Sequence, residues 1–176
     1  MSDEPITVVP HDPEWQHRFA AERLLLERVL APWLDEGVHH VGSTSIRGIA
    51  AKPCIDMIAG VRDFEEARAA YEPPQTEGYI HAPHRPGIAH HFYKPTSRRP
   101  ERTYSLHLTL PGSDLWRERL SFRDALRNDH ALAGEYEQLK LRLAKEYPDD
   151  LGSYTGGKRE FVVGVLAQFG IQLGRR

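Results

Sequence analysis

His40-Val41-Gly42-Ser43-Thr44-Ser45, followed at a short interval by Lys52-Pro53-Cys54-Ile55-Asp56-Met57-Ile58-Ala59, is the stretch from which the fold is read. Val38 to Val41 reads as a short strand running straight into Gly42-Ser43. A strand that ends in Gly-Ser lets the backbone turn sharply and brings bare amides close to a ligand, an approach open only to a residue without a side chain. The amides and hydroxyls of Ser43, Thr44 and Ser45 would then hold phosphate oxygens, especially if Ile46 to Ala51 forms a short helix whose N-terminus faces the anion. Taken alone, a Gly-Ser pair more often marks a turn with hydroxyl caps.

Asp56 changes that balance. Cys54 to Ala59 is an almost wholly apolar run with one carboxylate inside it, the pattern of a strand covered on both faces. A carboxylate in such a strand is costly unless it meets a partner, a metal or the open end of the sheet. On its own, Asp56 reads equally well as a structural acid paired with an arginine. Gly-Ser followed about a dozen residues later by a strand aspartate resembles the signature of polymerase-β-type nucleotidyltransferases. That resemblance implies Gly-Ser over a triphosphate and strand carboxylates on magnesium.

Outward from this centre, Asp12-Pro13-Glu14-Trp15 opens a helix. Asp12 can cap its first amides, and Trp15, Phe19, Leu26, Leu30 and Trp33 fall at helical spacing as far as Pro32. Asp63 to Tyr71 reads as helical. The stretch after it is loop-rich, punctuated by Pro73, Pro74, Gly78, Pro83, Pro86 and Gly87, with short strands near Tyr79-Ile80 and His91-Phe92-Tyr93. Thr103 to Leu110 alternates, with Tyr104, Leu106, Leu108 and Leu110 on one face and Thr103, Ser105, His107 and Thr109 on the other. Ser113 opens a helix that ends near Asn128; a second stripe runs from Leu132 to Tyr147, stopped by Pro148; a last helix carries Phe161 to Phe169. Strands first and helices last make the class α+β: a mixed sheet flanked by helices, with a helical C-terminal third.

The whole chain, residues 1–176, reads as a single domain. With one cysteine it has no internal disulfide, and its −2 net charge gives no strong nucleic-acid signal. No basic-then-apolar leader opens it, and no apolar run nears the roughly 20 residues that span a bilayer. The expectation is a soluble, cytoplasmic protein.

A second resemblance covers nearly the whole chain. Pro10 through Trp15 with Phe19, the run Gly42 to Asp56, Leu106-His107-Leu108, Phe122-Arg123-Asp124 with Leu126-Arg127, Leu139-Lys140, Tyr147-Pro148, and Tyr154-Thr155 with Lys158 and Phe161 are together similar to the GrpB family. The resemblance implies a nucleotidyltransferase-like fold and, through fusions in some bacteria, a link to dephospho-coenzyme A kinase. It implies no settled reaction.

The expected site follows. Gly42, Ser43, Thr44 and Ser45 would lie at the phosphates of a nucleotide or nucleotide-like small molecule, with Lys52, Arg123 and Lys158 as anion clamps. Asp56 and His107 would be catalytic, and Asp56, His107 and His40 would hold a divalent metal ion, Mg²⁺ or Mn²⁺ with Zn²⁺ as a further candidate. The chain departs from the superfamily pattern two residues after Asp56, where Ile58 stands in place of a second carboxylate. The polar face of Thr103 to Thr109 offers His107 and no acid. Transferase activity therefore stands beside a second expectation, a silent nucleotide- or coenzyme-binding module. His39, His81, His84, His90 and His91 surround the same region and read better as scattered hydrogen-bonded residues than as metal ligands. Arg123 reads equally well as an internal salt bridge, Lys94 as a solvated charge, and Cys54 as a buried core thiol.

Overall fold

The computed structural model describes residues 5–82, 87–96 and 99–172; His84, Pro83 and Pro86 lie outside them. A helix, α1 (Glu14–Leu30), precedes the strands β1 (Leu34–Val41) and β2 (Ile55–Val61). A short helix, α2 (Glu72–Thr76), comes next, then β3 (Ile80–His81), β4 (His90–Thr96) and β5 (Arg99–Thr109). The chain continues as α3 (Asp114–Asn128), α4 (His130–Glu146), α5 (Leu151–Gly156) and α6 (Arg159–Ala167). The five strands form one mixed sheet in the order β1-β2-β5-β4-β3, in which only β2 and β5 run parallel.

Register assigns every side chain to a face, because directly paired residues project the same way. His40 pairs with Met57 and Val41 with Asp56. Met57 in turn aligns with Leu106, and Asp56 with Ser105. One face therefore carries His40, Met57, Leu106 and Phe92; the other carries Val41, Asp56, Ser105 and Tyr93. The first face is sealed by α1 through Trp15, Leu26 and Leu30, which form the main core with Val38, Met57, Phe92 and Leu106. The second is covered only in part, where Leu115 and Trp116 of α3 pack on Val41, Ile58 and Ala89. A third apolar cluster, built from Ile46, Ile49, Leu126, Tyr136 and Val165, joins the helical third to the loop after Ser45. The site is built where the second face is left open.

Local chemistry explains most of the element ends. Asp12 Oδ1 accepts from the Glu14 amide at 2.9 Å, and Pro32 bars a further turn of α1. Ser113 and Asp129 cap α3 and α4 by accepting from Trp116 and Leu132. Glu22, buried on the inner side of α1, accepts from Tyr79 Oη at 3.0 Å and Lys94 Nζ at 2.8 Å. Lys94 is thus half of an internal ion pair rather than a solvated charge.

Two readings are corrected, and one helix is added. Ile46 to Ala51 is not helical: the helical turn is a 3-10 turn at Ser43–Ser45, after which Ile46 is already extended. Gly48 then turns with φ +83°, and Glu137 and Lys140 of α4 take the amide and carbonyl of Ala50. Asp63 to Tyr71 is helical only from Glu66, as a 3-10 segment, and continues into α2 with its prolines in the first turn, where a missing amide is harmless. Helix α5 forms in a stretch to which the sequence pattern assigns no element. Asp150 caps it by accepting from Ser153 N, and Tyr154 anchors it by burial.

Candidate functional site

Gly42 takes φ +70° and ψ −176°, a conformation essentially confined to glycine. A Cβ there would fall 2.4 Å from Asp56 Oδ2, so the turn lies directly against the carboxylate. Around them opens a cavity of about 200 Å³. Ser43 comes from the turn, Lys52 and Cys54 from the approach to β2, Asp56 from β2 and Ser105 from β5; Leu151, Tyr154, Thr155 and Lys158 form the helical wall. The Cys54 thiol faces Asp56 Oδ1 at 3.8 Å, so this half-buried cysteine lines the cavity instead of filling the core. The Ser43 side chain lies against the Tyr136 hydroxyl, which burial holds above the usual tyrosine range.

The electrostatics are those of an anion site with one acid inside it. Burial raises the Asp56 pKa above the ordinary carboxylate value, against the charges of Arg119, Lys158 and Lys52 and the Cys54 hydrogen bond. Lys158 is pushed down to about 8, first by burial and then by Arg119 and Lys52, with Asp56 opposing. Its Nζ stands 4.2 Å from the centroid of the Tyr154 ring, a cation–π contact that supports the head group where it is poorly hydrated. Lys52 and Lys158 line the cavity with Asp56, and the charge of Arg119 acts on both Asp56 and Lys158.

Of the residues expected at the site, Gly42, Ser43, Lys52, Asp56 and Lys158 come together. Thr44 and Ser45 do not join them, because a 3-10 turn sends consecutive side chains in different directions. Thr44 Oγ1 donates to the Cys54 carbonyl at 2.9 Å, and Ser45 Oγ to the Gly42 carbonyl at 2.6 Å. His40 lies on the other face of the sheet, stacked on Phe19 at 4.6 Å. Since Thr44 spends its proton on Cys54, His40 donates to Thr44 through Nε2 at 3.0 Å and is neutral, with a pKa lowered to about 3 by burial and then by Arg127 and Arg123. His40 is a structural residue, not a metal ligand beside Asp56. His107 shares the face of Asp56 but aligns with Ile58, one pair further along, and its ring stacks on His91 at 4.4 Å. It is not among the residues lining the cavity. Arg123 ties α3 to β1, donating to Asp124 at 2.7 Å and to the His40 carbonyl at 3.3 Å, which is the salt-bridge alternative. Among the described residues, no group of three or more His, Cys, Asp or Glu side chains could hold a metal ion.

The family profile described as GrpB protein matches residues 5–168. The chain belongs to the GrpB family. Glutamate-rich protein GrpB of Alkalihalophilus pseudofirmus is 35% identical over 92% of this chain and 94% of its own length. UPF0157 protein YqkA of Bacillus subtilis is 34% identical over 89% of this chain, which spans only 45% of that longer protein. Among solved structures, GrpB from Enterococcus faecalis superposes with a TM-score of 0.81 at 26% identity, covering 93% of this chain and 99% of that one. The RNA terminal uridylyl transferase Cid1 gives a TM-score of 0.53 at 20% identity, over 85% of this chain and 49% of Cid1. The fold of this GrpB-family chain is therefore the nucleotidyltransferase-like one, as expected. No helix among the described residues is long and apolar enough to cross a membrane.

Sequence reading missed Arg119, Tyr136, Tyr154 and Ser105. Arg119 had a legible signal: Trp116, Arg119 and Arg123 lie at i, i+3 and i+7 on α3, the inward stripe of a helix. Tyr136 falls on the stripe from Leu132 to Tyr147, a pattern that carries no signal for its hydroxyl.

Proposed function

We propose that this chain binds the phosphates of a nucleotide or nucleotide-like molecule, such as a coenzyme, in the Asp56 cavity. The observation that carries the reading is the placement of Lys52 and Lys158 with Ser43 in one cavity, with the charge of Arg119 acting on the acid inside it. Backbone turn, hydroxyl and cations supply the donors that phosphate oxygens take, in a partly enclosed site where charge-assisted hydrogen bonds are strong. Tyr154 would flank the ligand and keep Lys158 in place.

Nucleotidyl or phosphoryl transfer is a second reading, favoured by the position of Asp56 against the turn. The residues fit one divalent ion shared with the ligand's own phosphates, Mg²⁺ or Mn²⁺, held by Asp56. They do not fit a two-ion set, because Ile58 fills the second position with buried hydrocarbon. Such an ion, when bound, would neutralise charge on the phosphate oxygens; the chain's own part is to orient those oxygens with Ser43, Lys52 and Lys158.

Two measurements test the site. Calorimetric titration with a nucleoside diphosphate should show an affinity that falls above pH 8, by no more than tenfold per pH unit. The sign follows from Lys158: free, it releases its proton near 8, and a bound anion favours the charged form, so binding takes up a proton above that pH. Lys158→Gln should bind about tenfold more weakly and lose the fall; an unchanged profile in this variant excludes Lys158 from the phosphate site.

Asp56→Asn separates the two readings. Removing the carboxylate should strengthen binding in EDTA and abolish any gain from Mg²⁺, with the fold retained. If the mutant gains from Mg²⁺ as much as the native chain does, Asp56 is not the cation's ligand.

A further inference from the structure

Beyond the Asp56 cavity, a second and larger one of about 420 Å³ opens by the same turn. Ser43 lines the first cavity; Ser45 and Ile46 line the second, together with Gln16, Arg47, Leu126, Arg127 and His130. Its floor is apolar, since Ile46 and Leu126 are buried, and its polar side chains are cationic or neutral. No carboxylate is among the residues that line it.

The nearby acids are engaged elsewhere. Asp124 takes the Arg123 guanidinium at 2.7 Å, and Asp129 caps α4 by accepting from Leu132 N at 3.0 Å. Arg127 donates through Nε to the Ser45 carbonyl at 3.0 Å, which fixes the guanidinium and leaves its terminal amino groups for another acceptor. Arg47 is exposed and has no ion pair among the described residues. Arg127 is exposed overall, and partial burial of its guanidinium, then the charges of Arg123 and Arg47 with Asp124 opposing, hold it below the usual arginine value. An anion bound between Arg47 and Arg127 would offset their mutual repulsion.

We propose that the cavity bounded by Arg47, Arg127 and His130 is a second anion site, taking a phosphate group. Planar guanidiniums match phosphate oxygens in pairs, and the apolar floor of Ile46 and Leu126 leaves room for more of a ligand than phosphate alone. A ligand here touches the same turn that Asp56 touches, because Arg127 holds the carbonyl of Ser45 and Gln16 holds that of Thr44 at 3.3 Å. The site stands independently of what the Asp56 cavity binds.

The test is a pyrophosphate titration at fixed ionic strength, followed by methyl resonances. Ile46 and Leu126 report on this cavity and Leu151 on the Asp56 cavity. Saturating shifts of Ile46 and Leu126 are expected, weakened about tenfold by Arg47→Glu, the equivalent of one charged hydrogen bond. His130→Gln, a second exposed position, should weaken them less. Ile46 and Leu126 methyls that stay still, or that move identically in Arg47→Glu, overturn the proposal. Failure of the phosphate reading at Asp56 looks different: Leu151 stays still while Ile46 moves. A nucleoside monophosphate that binds here more tightly than inorganic phosphate assigns the group to a larger ligand, whereas equal or weaker binding assigns the site to the free anion; either result supports it.

Discussion

Gly42→Ala is expected to lower the stability of the chain by roughly 3 kcal/mol, with contributions of ~1–3 kcal/mol from backbone strain and ~1–3 kcal/mol from overpacking. The strain comes from φ +70° with ψ −176°. The overpacking comes from the new methyl, 2.4 Å from Asp56 Oδ2 and 3.0 Å from Asp56 Cβ and Cγ. Rotation of the carboxylate can relieve the first contact but not the Cβ contact, so β1 and β2 must move apart at the pair Val41 and Asp56. Gly48→Ala is the matched control: Gly48 also has positive φ, +83°, yet a Cβ there meets nothing within 4 Å. Urea unfolding of both variants separates backbone strain from contact with Asp56. Equal losses in the two would mean that the turn does not press on the carboxylate. Ligand binding by Gly42→Ala should fall as well, because Ser43 and Asp56 are displaced together.

The same turn marks where the sequence stops being informative. Its chemistry was legible: a strand ending at Gly42, an apolar strand around Asp56, and the alternation of Thr103 to Thr109 all stand in the structure. Period-two patterns reveal faces within one strand, but they do not say which residues on different strands share one. That depends on register, and here it places His40 opposite Met57 and His107 opposite Ile58. Two histidines that look adjacent to Asp56 in a list of strand residues are thereby placed elsewhere. Thr44 and Ser45 illustrate a related limit. Hydroxyls suit both a phosphate and a neighbouring carbonyl, and only the direction of the 3-10 turn decides between them.

Helix α5 was illegible for another reason. Leu151-Gly152-Ser153-Tyr154-Thr155-Gly156 has poor intrinsic helix propensity, and tertiary packing overrides it. Tyr154 is buried, and the junction after α5 comes so close to α4 that a Cβ on Gly157 would lie 2.5 Å from Leu143 Cδ2. That close approach sets Lys158 at the cavity. Lys158 is thus held at the cavity by a glycine contact just past a helix the propensities do not favour.

Ile58→Asp carries the largest expected loss and separates a two-ion enzyme that lost one carboxylate from a site that never used a second. Residues 56 and 58 share a face, so the substitution restores the paired carboxylates that two-ion phosphoryl transfer requires. Ile58 is fully buried, however, in a cluster with Val41, Leu115 and Trp116. An aspartate there loses the apolar contacts and leaves a charge without a partner, for a loss of about 4 kcal/mol or more. Ile58→Asn has a similar shape without the charge and gives the part of the loss due to packing and polarity. If the paired-carboxylate site is latent, Mg²⁺ with a nucleoside triphosphate should bind Ile58→Asp more tightly than the native chain and recover part of its stability, with no such recovery in Ile58→Asn. The packing of α3 over Ile58 predicts the opposite: both variants destabilised, the aspartate more so, and neither rescued by Mg²⁺. Melting curves with and without Mg²⁺ and nucleotide read both outcomes, and a rescue confined to the aspartate would overturn the single-ion reading of Asp56.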